Sequence, residues 1–452
     1  ISAGLSICPW RESGSRRWPP VDNAQLLLIA LALPGAAFLF LSLSWLLGWT
    51  PPEKFVARLT AGVYLLAVAA IATLGWQMRQ AGLLNVSIDL RGWFHVGEYQ
   101  FPLVVLVDRL SYPLIVMTVM LAGLIGKFSS TYLHRDRGFF RFYVLLHLFA
   151  FGALLAFCAG SLDALVLGWE MVGITSVLLI GFFHYRAGPV ENALRVFAFY
   201  RGCDIGLLIG AGLMYHEGPP SPTLLGLLFL LAAAGKSAQV PFSGWLPRAM
   251  EGPTPSSAIF YGAISVHIGA YLMLRTRLLW EQSAIVVAAV AIVGVTTAVY
   301  GTLAGRVSPD AKNSLANASL AQVGLIFVEI AFGMQTLALI HILGHAAVRT
   351  LQFLRAPSAL HDYHRIHAAA GGHLAPTGRH VETLMPGAVQ RWLYRFALDR
   401  GHLDTLLQRL VITPLFALSA LLRRLDEFGG GIRAKRPVHP APLVEERKPL
   451  DA

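Results

Sequence analysis

The sequence predicts an all-α polytopic membrane protein, on three observations. It is 55% hydrophobic and only 13% charged, whereas ordinary soluble domains carry roughly 25% charged residues. Its apolar residues gather in runs of about 20 or more, the length a helix needs to cross a bilayer. Two of these runs carry an ionisable residue at their middle: Glu170 in LVLGWEMVGITSVLLIGFF and Lys236 in LLFLLAAAGKSAQVPFSGWL. A charge at bilayer depth costs about 3 kcal/mol or more, and chains keep one where it faces a partner charge or a hydrated cavity.

Taken in order, we read about 11 spans, near residues 24–49, 55–78, 109–133, 139–160, 161–185, 190–215, 223–249, 255–279, 284–305, 311–333 and 335–355. The seventh contains Pro241 and Gly244. Proline removes a backbone donor and breaks a helix, and such a break is tolerated at membrane depth where it is buried in protein or lines a cavity. Between the second and third spans, residues 84–107 (LNVSIDLRGWFHVGEYQFPLVVLV) alternate and are rich in β-branched and aromatic side chains around a Gly-containing turn. This predicts a β-hairpin on the membrane surface.

The chain thus divides into an N-terminal tail (1–22), a transmembrane domain (23–355), a His-rich polar loop (356–385), two amphipathic helices split near Gly401 (386–428) and a mobile tail (429–452). The helices, VQRWLYRFALDR and LDTLLQRLVITPLFALSALLRRLDEF, are interrupted by Asp404, Arg409, Arg423 and Arg424. They read as cytoplasmic segments that lie at the interface or bind a partner rather than as spans. The first apolar run, from about Ala24, is long enough to span, so no cleaved signal peptide is expected. The sequence begins with Ile, which leaves its true start open.

The net charge of +11 is spread over loops and the C-terminal region, which excludes a nucleic-acid stripe and points to topology signals and anionic lipid. Alternate loops holding Lys54, Arg58, Arg135, Arg137, Arg141, Arg186, Arg195, Arg306, Lys312 and Arg355 are expected on the cytoplasmic side. The N-terminus and hairpin then lie outside and the C-terminal region inside a bacterial inner membrane; Arg16 and Arg17 argue the other way. Cys8, Cys158 and Cys203 form no CxxC pair and suggest neither a disulfide framework nor a zinc site.

Several residues carry possible chemistry. Burial disfavours a charged amine and a neighbouring carboxylate favours it, so Glu170 moving relative to Lys236 would change proton affinity. The alternative is a static pair that fixes helix packing. Arg201 and Asp204 lie three apart, on one helix face, either as a self-neutralising pair or as a modulator of Glu170. His341, His345 and Arg349 recur at every fourth position. They suit a proton wire or polar axis, plain packing, or, less well beside an arginine, a metal. Tyr261 and His267 could extend that path. No phosphate loop, dinucleotide fingerprint or nucleophile elbow is present, so no site for covalent chemistry and no bound cofactor is expected.

From Val107 to Leu354 the sequence resembles the proton-pumping antiporter-like subunits of respiratory complex I, NuoL in particular, and the related Mrp antiporter subunits. The resemblance rests on VDRLS (107–111), LGWEMVG (167–173), YRGCDIG (200–206), GKSAQVPFSGWLPRAMEGPTPSSA (235–258), DAKNSLANASLAQVG (310–324) and IHILGHAAVRTLQFL (340–354). It implies that Glu170 and Lys236 form the core proton-handling pair, that Arg201 and Asp204 are the helix-six pair, and that His341 and His345 belong to the polar axis. The sequence departs from the pattern at Tyr261, where the family usually has histidine, and at Arg349, where it has lysine. Its spans stop near Arg355, without the family's second broken helix.

A shortened chain of this kind, with FYGAISVHIGAYLMLR after the GPTP string, resembles the DabB membrane subunits of inorganic-carbon accumulation complexes. That resemblance implies proton or Na⁺ passage coupled to CO₂ hydration by a cytoplasmic, zinc-containing partner of the DabA type, related to β-carbonic anhydrases. The alternative is a pumping subunit of a respiratory or hydrogenase-type complex. A third reading is a membrane anchor with a vestigial path.

Overall fold

The computed structural model describes residues 21–96, 99–214, 220–358, 385–407, 409, 413–414, 417 and 420–424. The N-terminal tail to residue 20, nearly all of the His-rich loop and the C-terminal tail lie outside the described residues. The chain forms two compact units, residues 1–401 and 402–452.

In the first unit α1 (Val21–Leu46) and α2 (Glu53–Gln80) precede a hairpin of β1 (Val86–Val96) and β2 (Tyr99–Val107). There follow α3 (Ser111–Tyr132), α4 (Phe139–Phe157), α5 (Leu162–Ile180), α6 (Ala187–Leu213) and the short α7 (Pro222–Lys236). An irregular stretch with α8 (Trp245–Arg248) and α9 (Thr254–Ser257) leads through a π-helical segment, Ala258–Ala263, into α10 (Ser265–Arg275). After α11 (Arg277–Trp280) come α12 (Ala284–Arg306), α13 (Ala311–Ala331), α14 (Gln335–Arg355) and α15 (Gly387–Leu398). In the second unit α16 (Leu403–Leu407) follows the break at Gly401, whose φ is 64°.

Among the described residues, ten helices are long and apolar enough to cross a membrane. The chain is a multi-pass integral membrane protein. The expected span at 223–249 is the exception: it is helical for only 15 residues, to Lys236. Three helix starts are capped by a side-chain oxygen: Ser161 accepts from the Ala164 amide, Ser283 from Val286 and Asp310 from Asn313. Between α12 and α13, small residues bring the backbones together. A Cβ at Gly294 would stand 2.6 Å from the Gly324 carbonyl oxygen, as expected where lipid offers no hydrophobic drive and packing decides.

The hairpin is antiparallel, with Val86 opposite Val107 and Asp89 opposite Val104, and loses its regular register before Gly92. It docks on the α4–α5 turn. The Leu106 amide donates to the Cys158 carbonyl at 2.7 Å, the Gly160 amide to Val104 at 2.8 Å, and the Ser161 hydroxyl to Pro102 at 2.7 Å. These bonds occupy part of what would otherwise be an open sheet edge.

Candidate functional site

The break after α7 positions the site. Ala238 has φ 52°; the amide of Gln239 donates to Ala234 at 2.8 Å and that of Ala238 to Gly235 at 3.4 Å. This is the double bond of a Schellman ending, with alanine where glycine is usual. The exposed backbone groups find partners within the protein. Trp245 Nε1 donates to the Gly235 carbonyl at 3.0 Å, and the Val240 amide to Thr297 Oγ1 at 2.9 Å. Lys236 is therefore the last residue of a helix that ends inside the bundle, and it is wholly buried.

Its ammonium lies 3.7 Å from Asp204 Oδ2 and makes no hydrogen bond of ordinary length. It rests over the rings of Tyr200 and Trp169, 4.2 and 4.9 Å from their centroids, where the ring faces attract a cation. A Cβ at Gly173 would stand 2.8 Å from Nζ, so the absent side chain leaves the ammonium its room. Asp204 is the hub. It accepts from Trp169 Nε1 at 2.5 Å and from Arg201 Nη2 at 2.7 Å, and the same guanidinium nitrogen donates to Glu170 Oε2.

Sequence reasoning paired Glu170 with Lys236 directly. In the structure Glu170 is held by Arg201, and the carboxylate beside Lys236 is that of Asp204. The reason is helical phase. Trp169 points inward and is fully buried, so its neighbour Glu170 points outward and its side chain stays 31% exposed. Arg201 bonds two carboxylates at once, so it is both Asp204's partner and a link to Glu170.

A second polar group lies beyond the break. Ser237 Oγ donates to the Val266 carbonyl at 2.6 Å, tying the end of α7 to the residue before His267. His267 Nε2 is 2.9 Å from His345 Nδ1 of α14, and the other ring nitrogen of His267 contacts the Ala263 carbonyl. Tyr261 sits in the π-helical segment, edge-on to Trp245, which is edge-on to Tyr200 over Lys236. π-Helical turns are rare and recur at functional sites. Arg349 is buried, and its backbone packs against Gly262. His341 lies apart from the His267–His345 contact; its ring joins Glu329 and Gln322 of α13 at 2.8 and 2.9 Å.

Sequence reasoning missed Trp169, Tyr200, Gln322 and Glu329. For Glu329 the signal was available: a carboxylate in an apolar run, the same cue that singled out Glu170. Lys312, read as one of the cytoplasmic-side loop charges, donates to the Met250 and Gly252 carbonyls at 2.8 and 2.9 Å. It ties the start of α13 to the stretch between α8 and α9.

Residues 159–385 match the family described as NADH:quinone oxidoreductase/Mrp antiporter, TM, and residues 93–143 match the N-terminus of complex I chain 5. The chain belongs to this antiporter-like family. All nine candidate residues, from Glu170 to Arg349, lie inside the longer match. NADH-quinone oxidoreductase subunit L of Mycobacterium tuberculosis is 32% identical over 358 residues, covering 75% of this chain and 56% of the relative. The corresponding subunit of Buchnera aphidicola is 29% identical over 359 residues, covering 74% and 57%. The chain spans about half the length of the curated relatives it matches. Its fold is similar to that of the Mrp complex from Dietzia (TM-score 0.62, 24% identity, 73% of this chain and 37% of that one). It is also similar to that of an archaeal membrane-bound sulfane sulfur reductase (TM-score 0.61, 19% identity, 73% and 70%).

Proposed function

We propose that the chain conducts protons, or Na⁺, as the antiporter-like membrane subunit of a larger complex. The observation that carries this reading is the Lys236 amine: wholly buried at a broken helix end, loosely held, and beside the chain of charges Asp204–Arg201–Glu170. A group kept only for packing gains most from a closed, fully bonded contact; Lys236 lacks one. An amine also gives up its proton far more readily than a guanidinium. Tyr261, His267, His345, His341 and Arg349 would carry the path away from it. The test is proton and Na⁺ flux in liposomes holding the full chain with the subunits that co-purify with it. Lys236→Ala that conducts either ion at the wild-type rate sinks the reading.

Two settings fit that role. The names of the relatives support a respiratory or Mrp-type complex. The Tyr261 position and the SVHIG stretch that follows support the narrower DabB-like setting, in which ion flow drives CO₂ hydration by a zinc-containing cytoplasmic partner. Affinity purification separates them: quinone-reductase subunits select the first, and a zinc protein related to β-carbonic anhydrases the second. The basic loops support a cytoplasmic C-terminal region. There α15 exposes Trp392 and Tyr394, and this segment would dock on the partner or the inner leaflet.

A further inference from the structure

Glu329 belongs to no ion pair of the Lys236 site, yet it sits in SLAQVGLIFVEIA, among apolar residues of α13. Its side chain is 17% exposed and that of His341 is 21% exposed. Glu329 Oε1 is 2.8 Å from His341 Nδ1, while the second carboxylate oxygen is buried without a hydrogen-bond partner. On the other side of the ring, His341 Nε2 is 2.9 Å from Gln322 Oε1. Gln322 and Glu329 are seven residues apart, two turns along one face, and the imidazole is clamped between them.

This clamp suits a group that changes its proton. A carboxyl and an imidazole at hydrogen-bond distance can hold one proton on either partner with no heavy atom moving. A glutamine amide can accept or donate, so it satisfies Nε2 in either state. A static pair would need neither property. The ion pair between Arg275 and Asp108, 2.5 Å apart, has neither, because a guanidinium stays charged.

The location fits as well. One helical turn beyond His341, His345 meets His267, and Nε2 of His345 is buried with no partner. These two histidines, with Arg349 a turn beyond His345, continue the row of charged or titratable groups along α14. In the opposite direction lies the α13–α14 turn. There Gly333 abuts the Arg277 guanidinium, two residues from Arg275, which is ion-paired to Asp108 at the foot of the hairpin. Glu329 and His341 are thus the more exposed, hairpin-side members of a row whose inner members, His267 and His345, are buried.

We propose that Glu329 and His341 form a proton-loading site at the hairpin end of the histidine row, passing protons along α14 to His345 and His267. The step is a plain proton transfer: the O–H bond of Glu329 breaks as an N–H bond forms on His341, leaving carboxylate and imidazolium, and no electron moves. This rests on the conducting role proposed above.

The test uses the full chain with its co-purifying subunits in liposomes, reading dye-reported proton flux. Glu329→Gln keeps a hydrogen bond to the imidazole but cannot release a proton. It should lower flux about a hundredfold, the low end of what a positioned proton-transfer group contributes. Glu329→Asp should recover part of that loss. His341→Gln should match Glu329→Gln, and the double variant should fall no further than either single one. The infrared difference spectrum should lose a carboxyl signal in Glu329→Gln. Wild-type flux in Glu329→Gln, with Lys236→Ala inactive, overturns the loading site and leaves the conducting role standing. Wild-type flux in both variants removes the conducting role itself. Should Glu329→Gln fail to insert, the flux of His341→Gln decides by the same two outcomes.

Discussion

Two buried cations in this bundle are held in opposite ways. Arg275 gives both terminal nitrogens to Asp108, at 2.5 and 3.1 Å, and bonds the Tyr271 hydroxyl, which itself donates to the Phe157 carbonyl at 2.8 Å. Asp108 also caps the turn that leads into α3: its carboxylate accepts from the Leu110 and Ser111 amides, and Ser111 Oγ accepts from its amide. Such a reciprocal arrangement is a capping box with serine in the returning role. Every strong group there is closed. Lys236 has two ring faces, a carboxylate at 3.7 Å and no hydrogen bond. A fork-shaped cation that cannot lose its proton is locked, whereas a point cation that can lose it is left loose. Contact geometry, more than charge, separates the fastened cation from the one proposed to carry protons.

The largest effect expected is on transport. Lys236→Ala should lower flux at least about a hundredfold while thermal stability stays near wild type, because Asp204 keeps its bonds to Arg201 and Trp169. Arg275→Ala should do the reverse. Removing one member of a buried pair costs about 3–5 kcal/mol, so the melting temperature should fall while flux per inserted molecule is retained. Purified variants measured by thermal unfolding and by flux would break the comparison if the two losses changed places.

The Asp108 fastening also has a pH signature. Burial alone would raise its carboxyl, but the hydrogen bonds and charge of Arg275, together with Ser111, hold it below the usual carboxylate range. A depressed folded-state value stabilises the fold above the unfolded value of about 3.9, and that stability is lost as pH falls through the folded value. Thermal unfolding followed from pH 7 downward should therefore steepen in the acid range. Asp108→Asn should start less stable and lack that part of the decline. An identical acid slope in the variant would mean that Asp108 is not a titrating member of the pair.

Much of the site was legible before any coordinates. Ionisable residues inside apolar runs gave Glu170, Arg201, Asp204 and Lys236, and Pro241 with Gly244 gave the break. Pairing was not legible, because it depends on helix phase and on contacts remote in sequence. Trp169 faces in, so Glu170 faces out. Asp108 and Arg275 are 167 residues apart, and nothing local announces that they meet. The partners of the histidine stripe were hidden for the same reason: the spacing put His341 and His345 on one face, but only the packing of α10 and α13 sent His345 to His267 and His341 to Glu329.

The smallest effect expected is also the finest test of the looseness of Lys236. In Gly173→Ala the new methyl would stand 2.8 Å from Nζ and 3.7 Å from the Tyr200 ring. Alanine is better than glycine in a helix interior by about 1 kcal/mol, and the atom it meets is the end of a flexible side chain, so that gain offsets part of what the displaced ammonium loses and stability should change little. The ammonium must shift off the ring faces. A desolvated cation–π contact is worth about 2 kcal/mol, and one to two kcal/mol is a factor of roughly 5–30 in an equilibrium. Flux should fall within that range, well short of the loss in Lys236→Ala. If Gly173→Ala instead unfolds the protein as readily as Arg275→Ala, Lys236 is rigidly fastened and the contrast between the two cations is wrong. If flux is unchanged, the ring faces do not set the position from which Lys236 works.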